Sequence, residues 1–165
     1  MKASEMWNKY ISDKTDKANE GDEAKPYGNS SFGADYDNVS YDAWAFGDDA
    51  DVLAQLVMSG KKTATSSAYP IYELEGEEIP KTGEYSVILN SKNEAVCIIR
   101  TTEVYVIPFN QVSEKHAYLE GEGDRSLDYW INVHRNFFTE ELKGTGLEFT
   151  EEMMVVCEEF EVVYR

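Results

Sequence analysis

The sequence predicts one small α+β domain whose antiparallel sheet curls toward a barrel, with helices around it. Three observations carry this reading. Segments dense in β-branched and aromatic residues recur at Tyr41–Gly47, Glu84–Leu89, Ala95–Phe109 and Met153–Arg165. Amphipathic helical patterns occupy residues 48–60 and 126–146. The two kinds of segment do not alternate as strand, helix, strand, which argues against a doubly wound parallel sheet.

Each element has its own justification. Met6, Trp7, Tyr10 and Ile11 fall at helical spacing, so Ser4–Ile11 is expected to form a short helix, with Ser4 near its cap, that docks on the main domain. From Ser12 to Ser40 the chain is rich in Asp, Lys, Asn, Gly and Ser without a period. It reads as a long surface connection with one ordered turn around Tyr27 or Phe32. Residues 1–40 are therefore an N-terminal extension, and 41–165 the domain proper.

The core opens with a strand in "YDAWAFG". A helix follows in "DDADVLAQLVMSG", with acids in its first turn, Val52, Leu53, Leu56 and Val57 on one face and Gly60 just past its end. The segment from Ala68 to Leu89 holds an aromatic loop and then the strand Glu84–Leu89, and "NSKNE" makes a turn. Ala95–Phe109 is a long strand expected to bend, closed by Pro108. "NQVSEKHAYLEG" reads as a short helix and "EGEGDR" as a loop. In the helix after it, Leu127, Trp130, Ile131, His134, Phe137, Phe138 and Leu142 share a face, Ser126 is the cap and Gly144 the terminator. "MMVVCEEFEVVYR" is the last strand.

Composition narrows function. With 32 acidic against 15 basic side chains the net charge is -17. That charge repels a polyanion over about 10 Å at moderate ionic strength, which excludes a general nucleic-acid coat protein and any extended duplex partner. No signal-peptide pattern and no apolar run of about 18 residues is present, so a soluble cytoplasmic protein is expected, without a membrane partner. Cys97 and Cys157 then read as buried free thiols. Neither they nor His116 and His134 stand at a recognised zinc spacing, and no metal or cofactor is implied. A monomer or weak homodimer is expected.

Two segments offer chemistry. In "SGKKTATSS" a helix end passes into an extended segment, so Lys61 and Lys62 point to opposite sides. Either both merely complement the helix dipole, or one reaches inward along the line of Ala64 and Ser66. In "EKHAYLEGEGDRS" acids and cations meet in a glycine-broken loop at a helix start, where Asp124, Arg125 and Ser126 form either an anion site or a simple cap. His134, on the apolar helix face, reads as a packing histidine. Among 3 Trp, 11 Tyr and 7 Phe, the cleft-lining candidates are Trp44, Tyr69, Tyr72 and Trp130.

Together, "GKKTATSS" after an amphipathic helix, the strand pair from Glu84 to Phe109, and "EGEGDRSLDYW" leading into "FFTEEL" resemble the bacterial branch of the ASCH (activating signal cointegrator homology) domains, over roughly Trp44 to Tyr164. The resemblance implies a β-barrel like that of PUA domains and a cleft for a nucleoside or short single-stranded RNA. Of the broad pattern Gly-x-Lys-x-x-Glu-x-Arg this chain keeps Gly60 and Lys62, with Thr65 and Ser67 at the last two places. Small bacterial relatives that hydrolyse cytidine acetylated on its exocyclic amine also carry threonine there. Their Glu-Lys-His-Ala-x-x-Glu segment matches Glu114, Lys115, His116, Ala117 and Glu120. The resemblance thus implies Lys62, Thr65 and Glu120 as catalytic residues. Lys61, Ser67, Asp124, Arg125 and Ser126, with Tyr69 and Trp130, are the ligand contacts expected from the residues of the two segments and their neighbouring aromatics, although Ser67 stands where the family pattern has a basic residue. A buried Lys62 of lowered proton affinity would act as base on Thr65, with Glu120 orienting it or protonating the leaving amine. Lys62 and Thr65 lie three residues apart, so a kink after Gly60 is required. Cleavage of an RNA phosphodiester at Ser126 and Arg125 is the alternative chemistry. A protein-docking role for the Met6, Trp7, Tyr10 and Ile11 stripe is the non-enzymatic one.

Overall fold

The computed structural model describes residues 1–20 and 39–165. In chain order its elements are α1 (Ala3–Glu20), β1 (Tyr41–Ala45), α2 (Ala50–Met58), β2 (Ala64–Ala68), α3 (Tyr69–Glu75), β3 (Tyr85–Leu89), β4 (Ala95–Pro108), α4 (Glu114–Glu120), α5 (Leu127–Glu141) and β5 (Met154–Tyr164). A single 3-10 turn, Phe109–Gln111, joins β4 to α4. Among the described residues no helix is long and apolar enough to cross a membrane.

The strands form one curled sheet in the order β1-β3-β4-β5-β2. β3, β4, β5 and β2 pair antiparallel, as the sequence predicts. β1 departs from that expectation and runs parallel to β3, because the chain between them crosses over through α2, β2 and α3. β4 pairs with both β3 and β5 and is irregular at Ile98/Ile99 and at Thr101/Glu103, which supplies the expected bend. The curl stops short of closure: β1 and β2 remain edges, so the sheet is a half-barrel rather than a barrel.

Alternation along β4 builds a core on each side of the sheet. Cys97 and Ile99 point to the inner face, where Ala54 and Val57 of α2, Phe46 and Phe160 cover them. Ile98 points outward to Met6, Trp7 and Tyr10 of α1. Burying three such side chains supplies on the order of 5 kcal/mol of gross hydrophobic stabilisation, which holds α1 to the sheet. A third cluster, with Phe109, Trp130, Phe138 and Val155 at its centre, packs α4 and α5 against β5. Cys97 and Cys157 are free and buried.

Two local expectations need correction. The first helix does not stop at Ile11 but continues to Glu20, through what the sequence reads as connection. The first Gly or Pro after Ile11 is Gly21, and Asp13 and Lys17 are spaced for an i,i+4 pair, so a polar helix can run on. The turn expected around Tyr27 or Phe32 lies outside the described residues. The aromatic loop after Ala68 is helix α3: Pro70 stands in its first turn and Gly76 ends it in the left-handed conformation.

Candidate functional site

The opening between the edge strands β1 and β2 holds the site. A closed barrel would hydrogen-bond these strands together; here a cavity of about 300 Å³ lies at the opening, lined by Phe46 and Gly47 after β1, by Thr65 and Ser66 of β2, and by Lys62, Glu120, Tyr129 and His134. That volume is at the lower end for small-molecule pockets, about 300–1,000 Å³.

Glu120 is the last residue of α4 and Lys62 precedes β2, and the backbone brings them together. The Thr63 amide donates to the Leu119 carbonyl at 2.8 Å. Gly121 ends α4 with φ +74, and a Cβ placed there would stand 2.2 Å from the Lys61 carbonyl oxygen. Only glycine permits this approach. Lys62 and Glu120 are both 1% exposed as whole residues. The Lys62 ammonium donates to Glu120 Oε2 at 2.9 Å and Glu122 Oε1 at 2.8 Å, and sits 5.3 Å from the Phe46 ring centre.

The second Glu120 oxygen is equally engaged. Trp130 Nε1–H donates to Oε1 at 2.7 Å and the Ser66 hydroxyl at 2.5 Å. His116 Nε2 lies 3.3 Å and His134 Nε2 3.5 Å from the same oxygen. Burial works against the Glu120 charge, but Lys62 and the two imidazoles outweigh it and hold the carboxyl well below the ordinary range. Burial also works against the Lys62 charge, and its two carboxylates override that and raise its proton affinity. The expectation of a lysine poised as a base is therefore corrected: Lys62 keeps its proton because Glu120 and Glu122 share it.

The other sequence-predicted residues fall into three groups. Thr65 lines the cavity with Lys62; the three-residue spacing is accommodated because the regular strand begins only at Ala64. Ser67 bonds the Tyr72 hydroxyl at 2.9 Å in an adjoining groove of about 900 Å³. Lys61, Asp124, Arg125, Ser126, Tyr69 and Trp130 do not line the cavity. Arg125 donates to the carbonyls of Tyr118 at 3.0 Å and Lys61 at 3.3 Å and stacks on the Tyr118 ring, so it braces the loop. Asp124 accepts from the Ser126 amide, and the Ser126 hydroxyl caps α5 by accepting from the Tyr129 amide. The exposed Lys61 side chain leaves its carbonyl as the working group. Tyr69 faces a separate hollow beside Lys81, and Trp130 is buried behind Glu120.

Sequence reasoning missed Ser66, Glu122 and the histidines as parts of the site. His134 does pack, stacked on Trp130 at 4.2 Å with Nδ1–H donating to the Trp130 carbonyl, yet its other nitrogen faces Glu120 and the cavity. The available signal was the i,i+4 spacing of His116 to Glu120 and of Trp130 to His134.

The adjoining groove shares Phe46, Gly47, Thr65, Ser66 and Phe137 with the cavity, and among the described residues its walls carry Glu75, Glu84, Glu141 and Glu158 and no basic side chain. Burial pushes the Glu158 carboxyl up, although the Thr101 hydroxyl donates to it at 2.7 Å. For a raised carboxyl, stability is lost as pH climbs from the unfolded value through the folded one. Glu158→Gln keeps the Thr101 bond without the charge, so its urea midpoint should exceed that of the parent at pH 7 and match it near pH 4.

An α+β half-barrel with a buried lysine–carboxylate pair at its open seam is the class of protein that fold and site define: a PUA-like domain with a ligand-sized cleft. The profile of the ASCH domain matches residues 42–164, and the chain belongs to the ASCH domain family. The crystal structure of an ASCH domain from Lactobacillus crispatus JV V101 is similar at 36% identity, covering 98% of this chain and 94% of that one with a TM-score of 0.81. A crystal structure of a protein from Enterococcus faecalis V583 is similar at 37% identity, covering 97% and 89% with a TM-score of 0.74. No curated protein matches.

Proposed function

We propose that this chain recognises a nucleoside, free or at the end of a short single-stranded RNA, and hydrolyses an amide on the base's exocyclic amine, an acylated cytidine being the first substrate to try. The observation that carries the reading is the buried Lys62–Glu120 pair on the wall of a cavity about the size of one small ligand. Tyr129, Phe46 and His134 offer ring surfaces around a base, and the Lys62 ammonium offers a fixed positive charge for an oxyanion. The acid-walled groove favours a neutral or cationic arm over a chain of phosphates.

The alternatives have less support. A nuclease centred on Arg125 and Ser126 would need groups that already bond backbone within the fold. A docking role for the α1 stripe would need Met6, Trp7 and Tyr10, which are buried against β3 and β4. A module that binds without turnover uses the same cleft, and the mutual saturation of Lys62 and Glu120 favours it as the second reading.

The test is incubation with 4-acetylcytidine and, separately, a short unstructured RNA, followed by chromatography. Release of cytidine, reduced at least about 100-fold by Lys62→Ala, is the expected result. RNA fragments with intact acetylcytidine would reject it, and ligand retention without turnover would select the binding module.

A further inference from the structure

The hydroxyl best placed to react is not the one the family resemblance implies. We propose that Ser66 is a covalent nucleophile, with Glu120 as the acceptor of its proton, so that the acyl group of an amide substrate passes through a seryl ester; this rests on the amide-hydrolysis reading above.

Ser66 stands at the junction of the cavity and the acid-walled groove. A substrate amide lying across it would place its amine side toward Lys62 and His134 and its acyl side toward Trp44 and Tyr72. Thr65 lines the same space, but among the described residues its hydroxyl has no hydrogen-bond partner, and so no acceptor for a proton.

The protons of the cluster follow from its distances. The Ser66 hydroxyl donates to Glu120 Oε1, because an ionised carboxylate can only accept. His116 Nε2, 2.8 Å from the same Oγ, must then be the protonated nitrogen and donate to it. His116 Nδ1 in turn accepts from the Tyr105 hydroxyl at 3.2 Å. Trp130 and Lys62 fix the carboxylate from two sides, and His116 fixes the serine oxygen, so neither can turn away. This is a nucleophile in contact with a proton acceptor that other groups orient; the low proton affinity of Glu120 makes it a transient acceptor, which hands the proton on to the departing amine.

The step balances without an external reagent. Ser66 Oγ attacks the amide carbon as its proton moves to Glu120. The carbon–nitrogen bond breaks, the departing amine takes that proton, and an ester on Ser66 remains. Water then attacks the ester, gives one proton to Glu120, and releases the acid as that proton returns to Ser66 Oγ. The sum is amide and water to amine and acid.

An alkyl fluorophosphonate, which phosphonylates activated serine hydroxyls with loss of fluoride, tests the nucleophile without any assumption about the substrate. The full chain is treated with the probe, and the adduct is located by intact mass and peptide mapping. One adduct on Ser66 is expected, formed at least 10-fold faster than in urea-unfolded protein and lost in Ser66→Ala. No adduct, or one on Thr65, would overturn the proposal. Parallel assays with 4-acetylcytidine separate the two readings. Labelling of Ser66 without acetylcytidine turnover keeps the nucleophile and removes that substrate. Turnover that survives in Ser66→Ala keeps the function and overturns the nucleophile.

Discussion

Replacing Lys62 with methionine should lower the stability of the fold by about 3–5 kcal/mol, because it leaves the buried Glu120 carboxylate without its cation. Methionine fills nearly the same volume, so the loss reports charge rather than a cavity. The companion variant Lys62→Met/Glu120→Gln removes both charges and should recover part of the loss; urea unfolding at pH 7 checks both. If the double variant is no more stable than the single one, the pair is not what the site leans on.

The pH dependence has a definite sign at each end. Glu120 is held below its ordinary value of 4.5, so its contribution is present above that value and is lost as pH falls through the folded one. Lys62 is held above 10.5, so its contribution is present below that value and is lost as pH rises through the folded one. The pair therefore supports the fold across the whole neutral range. Lys62→Met should flatten both flanks of the stability profile.

Gly121→Ala should be the most damaging glycine substitution among the described residues. A left-handed backbone costs alanine about 1–3 kcal/mol. At Gly121 the added methyl would also stand 2.2 Å from the Lys61 carbonyl oxygen, 2.6 Å from its carbon and 2.9 Å from the Lys62 amide nitrogen. All three are backbone atoms and cannot rotate aside. Gly76, with φ +69 and nothing within 4 Å of the same added atom, is the control for the backbone cost alone. Equal losses of thermal stability in the two variants would show that the approach of α4 to Lys62 tolerates a methyl group. A larger loss at Gly121, accompanied by loss of ligand binding, is expected, because moving Lys61 moves the ammonium beside it.

The fold was legible where a pattern depends on near neighbours. The face of α5, the cap at Ser126 and the length of β4 follow from spacings of two to four residues and from residue types that suit only one backbone geometry. The parallel pairing of β1 with β3 was not legible, since a five-residue strand carries no mark of its partner's direction. Helix α3 was passed over because its aromatic residues hid the proline start and glycine stop.

The sequence by itself determined the class of domain, the family and the placing of Glu120 at a helix end, and it left open whether either of two adjacent lysines reaches inward. Each of these rests on local spacing or on a motif. Tertiary structure alone decided what the site can do. It joins Lys62 to Glu120 across 58 residues, turns Arg125 and Ser126 into supports, and brings Ser66, His116 and Tyr105 onto one hydrogen-bonded line. It also leaves the sheet open between β1 and β2. The physical reason is that a charge, an imidazole tautomer or a hydroxyl proton is set by whatever packs within a few ångströms of it, and in a curled sheet those neighbours come from distant parts of the chain.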